Sequence, residues 1–165
     1  MKIDFFKTEC TEAKRTDKLF GICDDDNEEK AYTDLENSNK WIAIVMNKEK
    51  RAISFTAIDN CIEILKEETN QKDSTCDGML TFEETIYLVE LKSQRNQWKS
   101  KAIQQLENTV KLILKNHSLS DFKYKKAFAC NKKHPRFATI DNELNKRFFR
   151  KYGFRIHVQG IIKIN

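Results

Sequence analysis

The spacing of apolar residues predicts strands in the first half of the chain. Trp41–Met46 is a compact apolar run, and after the polar turn at 47–50 an extended pattern resumes from Ala52 to Ile58. The part from Ser54 to Asn60 fits a helix equally well. Cys61–Leu65 then alternates apolar with polar residues, as a half-buried strand does.

The pattern is strongest in the middle of the chain. Cys76–Phe82 and Ile86–Lys92 are two strand-like segments joined by a tight polar connection, and the second is apolar on both faces, as a central strand is. An amphipathic helix follows, with apolar residues at helical spacing: Trp98, Ala102, Leu106, Val110 and Ile113. This order predicts an antiparallel hairpin leading into a long helix.

The remaining segments complete the predicted fold class. Tyr124–Cys130 is predicted as a strand, Asp141–Tyr152 as a basic helix with Gly153 at its C-cap, and Arg155–Ile164 as a last strand. Glu28–Asn37 can form a short helix near the start. The alternation of strands and helices indicates an α/β or α+β domain built on a mixed central sheet that is flanked by helices.

Length and charge suggest one domain with a basic surface. The 165 residues, 39% of them apolar, suffice for one core, so we expect a single domain at 1–165 in which 1–40 is a variable N-terminal extension. Lys and Arg (30) outnumber Asp and Glu (25), and the excess lies between Lys92 and Arg155. A basic balance favours a polyanionic partner but does not require one.

Cysteine and glycine usage exclude several classes of protein. The five cysteines form no CxxC pair and are odd in number, which predicts reduced thiols and a cytoplasmic protein. The first residues lack the apolar core of a secretory signal, and no apolar run approaches the length of a membrane span. One Pro and four Gly leave no glycine-rich phosphate loop, which argues against P-loop and Rossmann enzymes.

The candidate chemistry lies on the central hairpin. Glu90 and Lys92 are two residues apart on a strand, so their side chains emerge on the same face. Burying two charges there costs several kcal/mol unless they are paired or bind a ligand. Asp77 lies on the preceding strand, and antiparallel pairing can bring it beside Glu90. Two adjacent carboxylates suit Mg²⁺ or Mn²⁺, and Lys92 beside them suits phosphodiester hydrolysis.

This arrangement resembles the PD-(D/E)xK nuclease superfamily, which has a restriction endonuclease-like fold. The matching residues are Cys76-Asp77-Gly78 and Val89-Glu90-Leu91-Lys92, followed by a helix that carries Gln105. The resemblance covers about Trp41 to Cys130 and implies the order helix, three strands, helix, strand. It implies a Mg²⁺-dependent deoxyribonuclease in which Asp77, Glu90, Lys92 and Gln105 are catalytic. Asp77, Glu90 and Leu91 would then contact the metal.

The match has two departures from the family pattern. Cys76 occupies the position of the family's proline, which makes no metal contact. The family often adds a glutamate from its first helix, and the sequence does not distinguish among the candidates Glu28, Glu29, Glu36, Glu49 and Glu63. A further acidic ligand therefore stays unassigned.

Cationic residues around this site are candidates for contacts with phosphates. They are Arg95, Lys99, Lys101, Lys132, Lys133 and Arg136. Phosphate contacts require only positive charge and reach, so DNA is the expected partner, with RNA as an alternative and a homodimer as one arrangement. His134 before Pro135 and Trp98 on the apolar helix face are interpreted as structural.

Each of these features also has a purely structural interpretation. Glu90 and Lys92 can be a cross-strand ion pair, Asp77-Gly78 can be a turn, and Gln105 can be a solvated helix residue. The basic residues can serve solubility alone. The competing functions are therefore a catalytically inactive nucleic-acid-binding module on the same fold and a protein-interaction domain.

Overall fold

The computed structural model describes residues 2–134, 136 and 141–165, and these form nine strands and two α-helices. The strands are β1 (Leu19–Cys23), β2 (Tyr32–Asp34), β3 (Ala43–Met46), β4 (Ser54–Ala57), β5 (Gly78–Phe82), β6 (Thr85–Lys92), β7 (Tyr124–Asn131), β8 (Arg155–Val158) and β9 (Ile161–Lys163). The helices are α1 (Lys99–Asn116) and α2 (Asn142–Tyr152). The strands make two mixed sheets, which confirms the predicted mixed class of α and β structure.

The larger sheet has the strand order β4-β5-β6-β7-β8. Strand β5 is antiparallel to both β4 and β6, whereas β7 is parallel to both β6 and β8. Parallel neighbours need a crossover, and α1 and α2 supply the two crossovers. Strand β6 is the centre of this sheet, and all of its residues are buried except the partly exposed Lys92.

The smaller sheet has the order β2-β1-β3-β9 and draws on both ends of the chain. Strand β1 lies between β2 and β3 in antiparallel pairing, and β9 adds to β3 in parallel. The segment 1–40, predicted to be a variable extension, thus supplies β1 and β2. Its residues Phe20 and Ile22 are fully buried.

Two cores lie on opposite faces of the larger sheet. On one face, Ile86 and Leu88 of β6 pack in a cluster with buried side chains of α1 and α2. On the other face, Val89 and Leu91 pack in a cluster with the smaller sheet. The alternation follows from the two-residue period of a strand, and it makes β6 apolar on both faces, as predicted.

Most predicted elements are confirmed, and two are wrong. The helix predicted at Glu28–Asn37 is instead a turn followed by β2, because Glu28 has a left-handed φ of 64° and Tyr32–Asp34 pair with β1. Cys61–Leu65 is not a strand, since its alternation only buries Ile62 and Ile64 and leaves Leu65 with an isolated bridge. Ser54–Ala57 is a strand, so the helical alternative there is excluded.

The last predicted strand divides between the two sheets. Residues 155–158 form the edge strand β8 of the larger sheet, and 161–163 form β9 of the smaller one. The break falls at Gln159 and Gly160, where the Gln159 side-chain amide donates to the carbonyl of Ile161 at 2.7 Å. The chain end thus ties the two sheets together.

Helix α2 begins and ends within one residue of the predicted bounds, and α1 contains the predicted apolar stripe. Asp141 is the N-cap of α2, its side chain accepting from the Glu143 amide at 3.1 Å. Gly153 ends that helix with a left-handed φ of 76°, a conformation that favours glycine. The buried residues of α1 are Ala102, Leu106, Thr109, Val110 and Ile113, which match the predicted apolar stripe except for Thr109.

The expectation that all five cysteines are reduced is wrong. Cys10 and Cys61 form a disulfide with 5.9 Å between their Cα atoms. The N-terminal segment runs along β4, and the main-chain amide of Glu12 donates to the Phe55 carbonyl at 2.9 Å. This pairing brings the two cysteines together across 51 positions of sequence. Cys23, Cys76 and Cys130 are buried free thiols. The inference of a reducing compartment loses the support that it drew from free thiols.

The helix that the family resemblance implies ahead of the three strands is not present in the described residues. Before β4, the described chain forms β1, β2, β3 and two short 3₁₀ turns at Thr8–Cys10 and Ser38–Lys40. Neither α1 nor α2 is long and apolar enough to cross a bilayer.

Candidate active site

The hairpin of β5 and β6 sets the relative positions of Asp77 and Glu90. In its register Gly78 pairs with Val89, so one further step along the antiparallel ladder sets Asp77 across from Glu90. Side chains alternate along β6, so Glu90 and Lys92 share the face that α1 covers. The hairpin thus brings two acids and one amine to one end of the sheet.

Gly78 is part of a strand, and the interpretation of Asp77-Gly78 as a turn is wrong. Gly78 pairs with Ala57 of β4 on one side and with Val89 of β6 on the other. A Cβ atom at Gly78 would lie 2.5 Å from the Cζ atom of Phe55. The glycine therefore lets β4 and β5 pack closely, and it fixes the backbone directly after Asp77.

The predicted site residues form two adjacent sets of contacts, one between Asp77 and Leu91 and the other among Glu90, Lys92 and Gln105. The Asp77 carboxylate accepts from the main-chain amide of Leu91 at 2.7 Å. The Lys92 ammonium lies 3.0 Å from Glu90 Oε2 and donates to Gln105 Oε1 at 2.7 Å. Gln105 is therefore not a freely solvated helix residue. The Glu90–Lys92 pair lies at the end of a central strand and within one strand, which differs from the alternative of a cross-strand pair at a sheet edge.

Both carboxyl groups of the site are buried, and burial changes their pKa values. Asp77 is 8% exposed and Glu90 is 2% exposed. Burial raises the pKa of Asp77 well above its usual range, and the nearby carboxylate of Glu90 raises it further. Burial also raises the pKa of Glu90, to about 7, although the Lys92 ammonium opposes the rise.

One oxygen of the site has no hydrogen-bond donor. Glu90 Oε1 is buried and finds no partner among the residues that the structure describes. A buried carboxylate oxygen without a partner is costly, and a proton or a cation between Glu90 and Asp77 removes the cost. A proton or a cation between the two carboxyls would therefore satisfy this oxygen equally well.

The donor set limits which cation the site can take. Within 2–134, 136 and 141–165, no three His, Cys, Asp or Glu side chains cluster as metal ligands. Two carboxylates are too few for a closed site of Zn²⁺ or Ca²⁺, but Mg²⁺ binds through one or two carboxylates and keeps several waters. Leu91 has its side chain in the apolar core, so any metal contact from it must come from its main chain.

Helix α1 also holds the segment that precedes Asp77. The buried Thr109 hydroxyl accepts from the Cys76 amide at 2.7 Å and donates to the Gln105 carbonyl at 2.7 Å. Asn108 donates to the Asp73 carboxylate at 2.9 Å. Thr109 is absent from the predicted site, because its contact with the Cys76 amide joins residues that are distant in sequence and leaves little local signal.

The predicted phosphate-binding residues are exposed and lie in the segments that follow β6 and β7, at the end of the larger sheet where the site lies. They are Arg95, Lys99, Lys101, Lys132, Lys133 and Arg136. The Lys132 amide donates to the Lys92 carbonyl at 2.9 Å, so the turn after β7 adjoins the end of β6. The Lys132 ammonium donates to the carbonyl oxygen of Asn39. Pro135 lies outside the described residues.

Two aromatic residues near this end of the sheet, Trp98 and His134, pack in the core or hold a loop, in line with their predicted structural role. Trp98 is 4% exposed and belongs to the core under α1. The His134 ring is stacked on Trp98 with 6.3 Å between ring centroids, and its Nε2 atom lies 2.7 Å from the Arg95 carbonyl oxygen. Neither side chain contacts the carboxyl pair.

Comparison of the chain with protein-family models, with curated proteins and with solved structures finds no match. The function must therefore be argued from the geometry of this chain alone.

Proposed function

We propose that the protein is a nuclease that hydrolyses phosphodiester bonds of DNA with the help of a divalent cation. The observation that carries the proposal is the placement of Asp77 across from Glu90 at the end of β6, beside the contacts of Lys92 with Glu90 and Gln105. A structural core has no need for two facing carboxyls and a lysine at this depth, because burying them costs free energy.

The fold also supports the proposal. The antiparallel strands β4, β5 and β6, followed by α1 and the parallel strand β7, have the order expected of a restriction endonuclease-like core after its first helix. That first helix has no counterpart in the described residues. The proposal therefore depends on the site and on the later part of the fold.

Each residue of the network has a chemical role in the proposed reaction. Asp77, Glu90 and the main chain of Leu91 are the groups that would hold Mg²⁺ or Mn²⁺. A bound divalent cation lowers the pKa of its water and neutralises charge on the phosphate. Lys92 Nζ orients the attacking water and stabilises the negative charge that develops on the phosphate oxygens. Gln105 Oε1 accepts a hydrogen bond from Lys92 Nζ and holds the ammonium in position at the site.

Access to the site runs past Lys92. Its side chain is 11% exposed, compared with 2% for Glu90, so Lys92 covers the carboxyl pair. Its ammonium pairs with Glu90 Oε2, whereas Glu90 Oε1 has no partner among the described residues. A cation held by these carboxylates would compete with Lys92 for Glu90, and the Gln105 side chain would keep Lys92 near the phosphate.

A cleavage assay tests this proposal. Single-stranded, double-stranded and branched DNA, with RNA as a separate arm, are incubated with the protein and Mg²⁺ or Mn²⁺. We expect cleavage by the wild type and a loss of roughly a hundredfold or more in Lys92→Ala. Lys115→Ala is the matched control, because it removes an ammonium from α1, the helix that covers the site, but this ammonium pairs with the exposed Glu67. Full activity in Lys92→Ala, or no cleavage by the wild type, would overturn the proposal.

One observation favours a second function, that of an inactive binding module on the same fold. The ammonium of Lys92 already neutralises Glu90, and the carboxyl pair is nearly closed to solvent. In that case the basic edge still binds nucleic acid, and the network only stabilises the fold. DNA binding without Mn²⁺ uptake would favour the module, and binding that survives high salt would favour a protein partner instead.

A further inference from the structure

A single buried side chain connects the end of β7 to the loop that follows Lys92. Asn131 is fully buried at the last position of β7 and is paired with Lys92 in the sheet. Its side-chain amide donates to the Gln94 carbonyl at 2.6 Å, and its side-chain oxygen accepts from the Gln94 amide at 3.2 Å. The same oxygen accepts from the Lys133 amide at 3.0 Å.

These bonds hold two loops at once. One is the Ser93–Trp98 loop between β6 and α1, and the other is the turn that begins at Asn131. His134 adds a second tie, because its ring lies 2.7 Å from the Arg95 carbonyl oxygen and is stacked on Trp98. The Ser93–Trp98 loop has one residue, Gln97, with a left-handed φ of 56°, so it depends on such ties for its shape.

Both loops present cationic side chains next to Lys92. Arg95 is exposed on the first loop, and Lys132 and Lys133 are exposed on the second. The main chain beneath them is fixed by Asn131, and Lys132 is bonded through its amide to the carbonyl of Lys92. Asn131 therefore fixes the main chain that carries these cations, together with the ties from His134 and from the Lys132 amide.

We propose that Asn131 is a positioning residue for the substrate, which fixes Arg95, Lys132 and Lys133 so that they bind the phosphates flanking the cleaved bond. This inference rests on the proposed function. Asn131 touches neither the substrate nor the carboxyl pair. Its role is expressed in binding, through KM and Kd, and not in the chemical step.

The chain contains a matched control for this residue. Asn47 is also fully buried, and it clamps the turn between β3 and β4 in the same way. Its side-chain amide donates to the Arg51 carbonyl at 2.9 Å, and its side-chain oxygen accepts from the Arg51 amide at 3.0 Å. Asn47→Ala therefore removes the same kind of bonds at the opposite end of the larger sheet from Lys92.

The test compares the wild type with Asn131→Ala and Asn47→Ala in two assays. Binding of a labelled DNA duplex is followed by fluorescence anisotropy in EDTA, and cleavage with Mn²⁺ yields kcat and KM. For Asn131→Ala we expect Kd and KM to rise about tenfold, while kcat stays within about threefold of the wild type. For Asn47→Ala we expect thermal stability to fall by about as much as in Asn131→Ala, without a change in Kd or KM.

His134→Ala provides a second variant that keeps the core intact, since His134 is exposed. It removes the tie to the Arg95 carbonyl, and we expect a smaller rise in Kd and KM in the same direction. If Asn131→Ala does not fold, an unchanged Kd in His134→Ala overturns the inference.

The outcomes separate this inference from the proposed function. Wild-type cleavage with an unchanged KM and Kd in Asn131→Ala overturns the positioning role and leaves the nuclease proposal standing. DNA binding without cleavage by the wild type, weakened in Asn131→Ala, overturns the nuclease proposal and supports the positioning role. An equal rise of Kd in Asn47→Ala overturns the positioning role, because the effect would then follow from lost stability.

Discussion

The β5–β6 hairpin carries an ion pair at each end, and the two pairs have opposite environments. At the closed end, Arg51 lies 2.6 Å from Glu83, and their side chains are 30% and 61% exposed. At the open end, Lys92 lies 3.0 Å from Glu90, and their side chains are 11% and 2% exposed. Glu83 lies in the turn of the hairpin and Arg51 in the segment before β4, whereas Glu90 and Lys92 both lie on β6. The two pairs have similar N–O distances and differ mainly in their access to water.

This difference shows where the fold accepts a cost. The Arg51–Glu83 pair keeps more of its hydration, although Arg51 Nε is buried without a partner among the described residues, so we expect the pair to change stability little. The buried pair loses its hydration, and Asp77 adds a second buried carboxyl beside it. A cluster that costs free energy but is surrounded by cationic loops is typical of a functional site.

The largest predicted effect is on stability when one member of the buried pair is removed. Lys92→Met leaves Glu90 buried without its partner, so at pH 8 we expect the free energy of unfolding to fall by about 3 kcal/mol. Arg51→Met is the matched control, and we expect a change of less than about 1 kcal/mol. Chemical denaturation in EDTA measures both. Equal losses in the two variants would contradict the distinction between the two ends.

The next effect is on the pH dependence of stability. Burial raises the pKa of Glu90 from 4.5 to about 7, so between these values the folded state holds a proton that the unfolded state has lost. Its stability is therefore highest below pH 4.5 and falls as the pH rises to about 7, by on the order of 3 kcal/mol for this group. Asp77 contributes with the same sign.

Glu90→Gln isolates that contribution, since it keeps the shape of the side chain but cannot titrate. We expect denaturation midpoints measured in EDTA between pH 5 and pH 8 to decline less in Glu90→Gln than in the wild type. Glu83→Gln should decline as the wild type does. The opposite result would be a stability of the wild type that rises from pH 5 to pH 8, with an equal rise in Glu90→Gln. Such a result would show that Glu90 titrates as an exposed acid.

The smallest effect concerns the exposed pair and salt. We expect Glu83→Gln to lower the free energy of unfolding by less than about 1 kcal/mol, and 0.5 M salt should abolish most of that difference. The effect of Lys92→Met should persist in the same salt, because buried charges are screened much less. Denaturation at low and high salt measures both. A salt-insensitive Glu83→Gln would make the two ends alike.

The sequence predicts the central part of this fold better than its periphery. Periodicity and length are enough for β6 and α1, since each buries a continuous apolar pattern. The division of 155–164 between two sheets is not encoded in any local pattern, because both halves alternate like one strand. The Cys10–Cys61 disulfide depends on the N-terminal segment running along β4, a long-range contact that spacing does not reveal.

The candidate site shows the same limit. Strand periodicity brings Glu90 and Lys92 to one face, and hairpin register brings Asp77 to them, so these three are predictable. Asn131 and Thr109 are not, because their roles come from contacts with loops that are distant in sequence. Polar residues buried by tertiary contacts carry little local signal.

Calorimetric titration with Mn²⁺ tests the central claim most directly, because it asks whether the two facing carboxyls hold a cation. The account predicts about one ion bound per wild-type chain, loss of that binding in Asp77→Asn, and unchanged binding in Arg51→Met. Wild-type protein that takes up no Mn²⁺, or Asp77→Asn that binds it as tightly as the wild type, would contradict it.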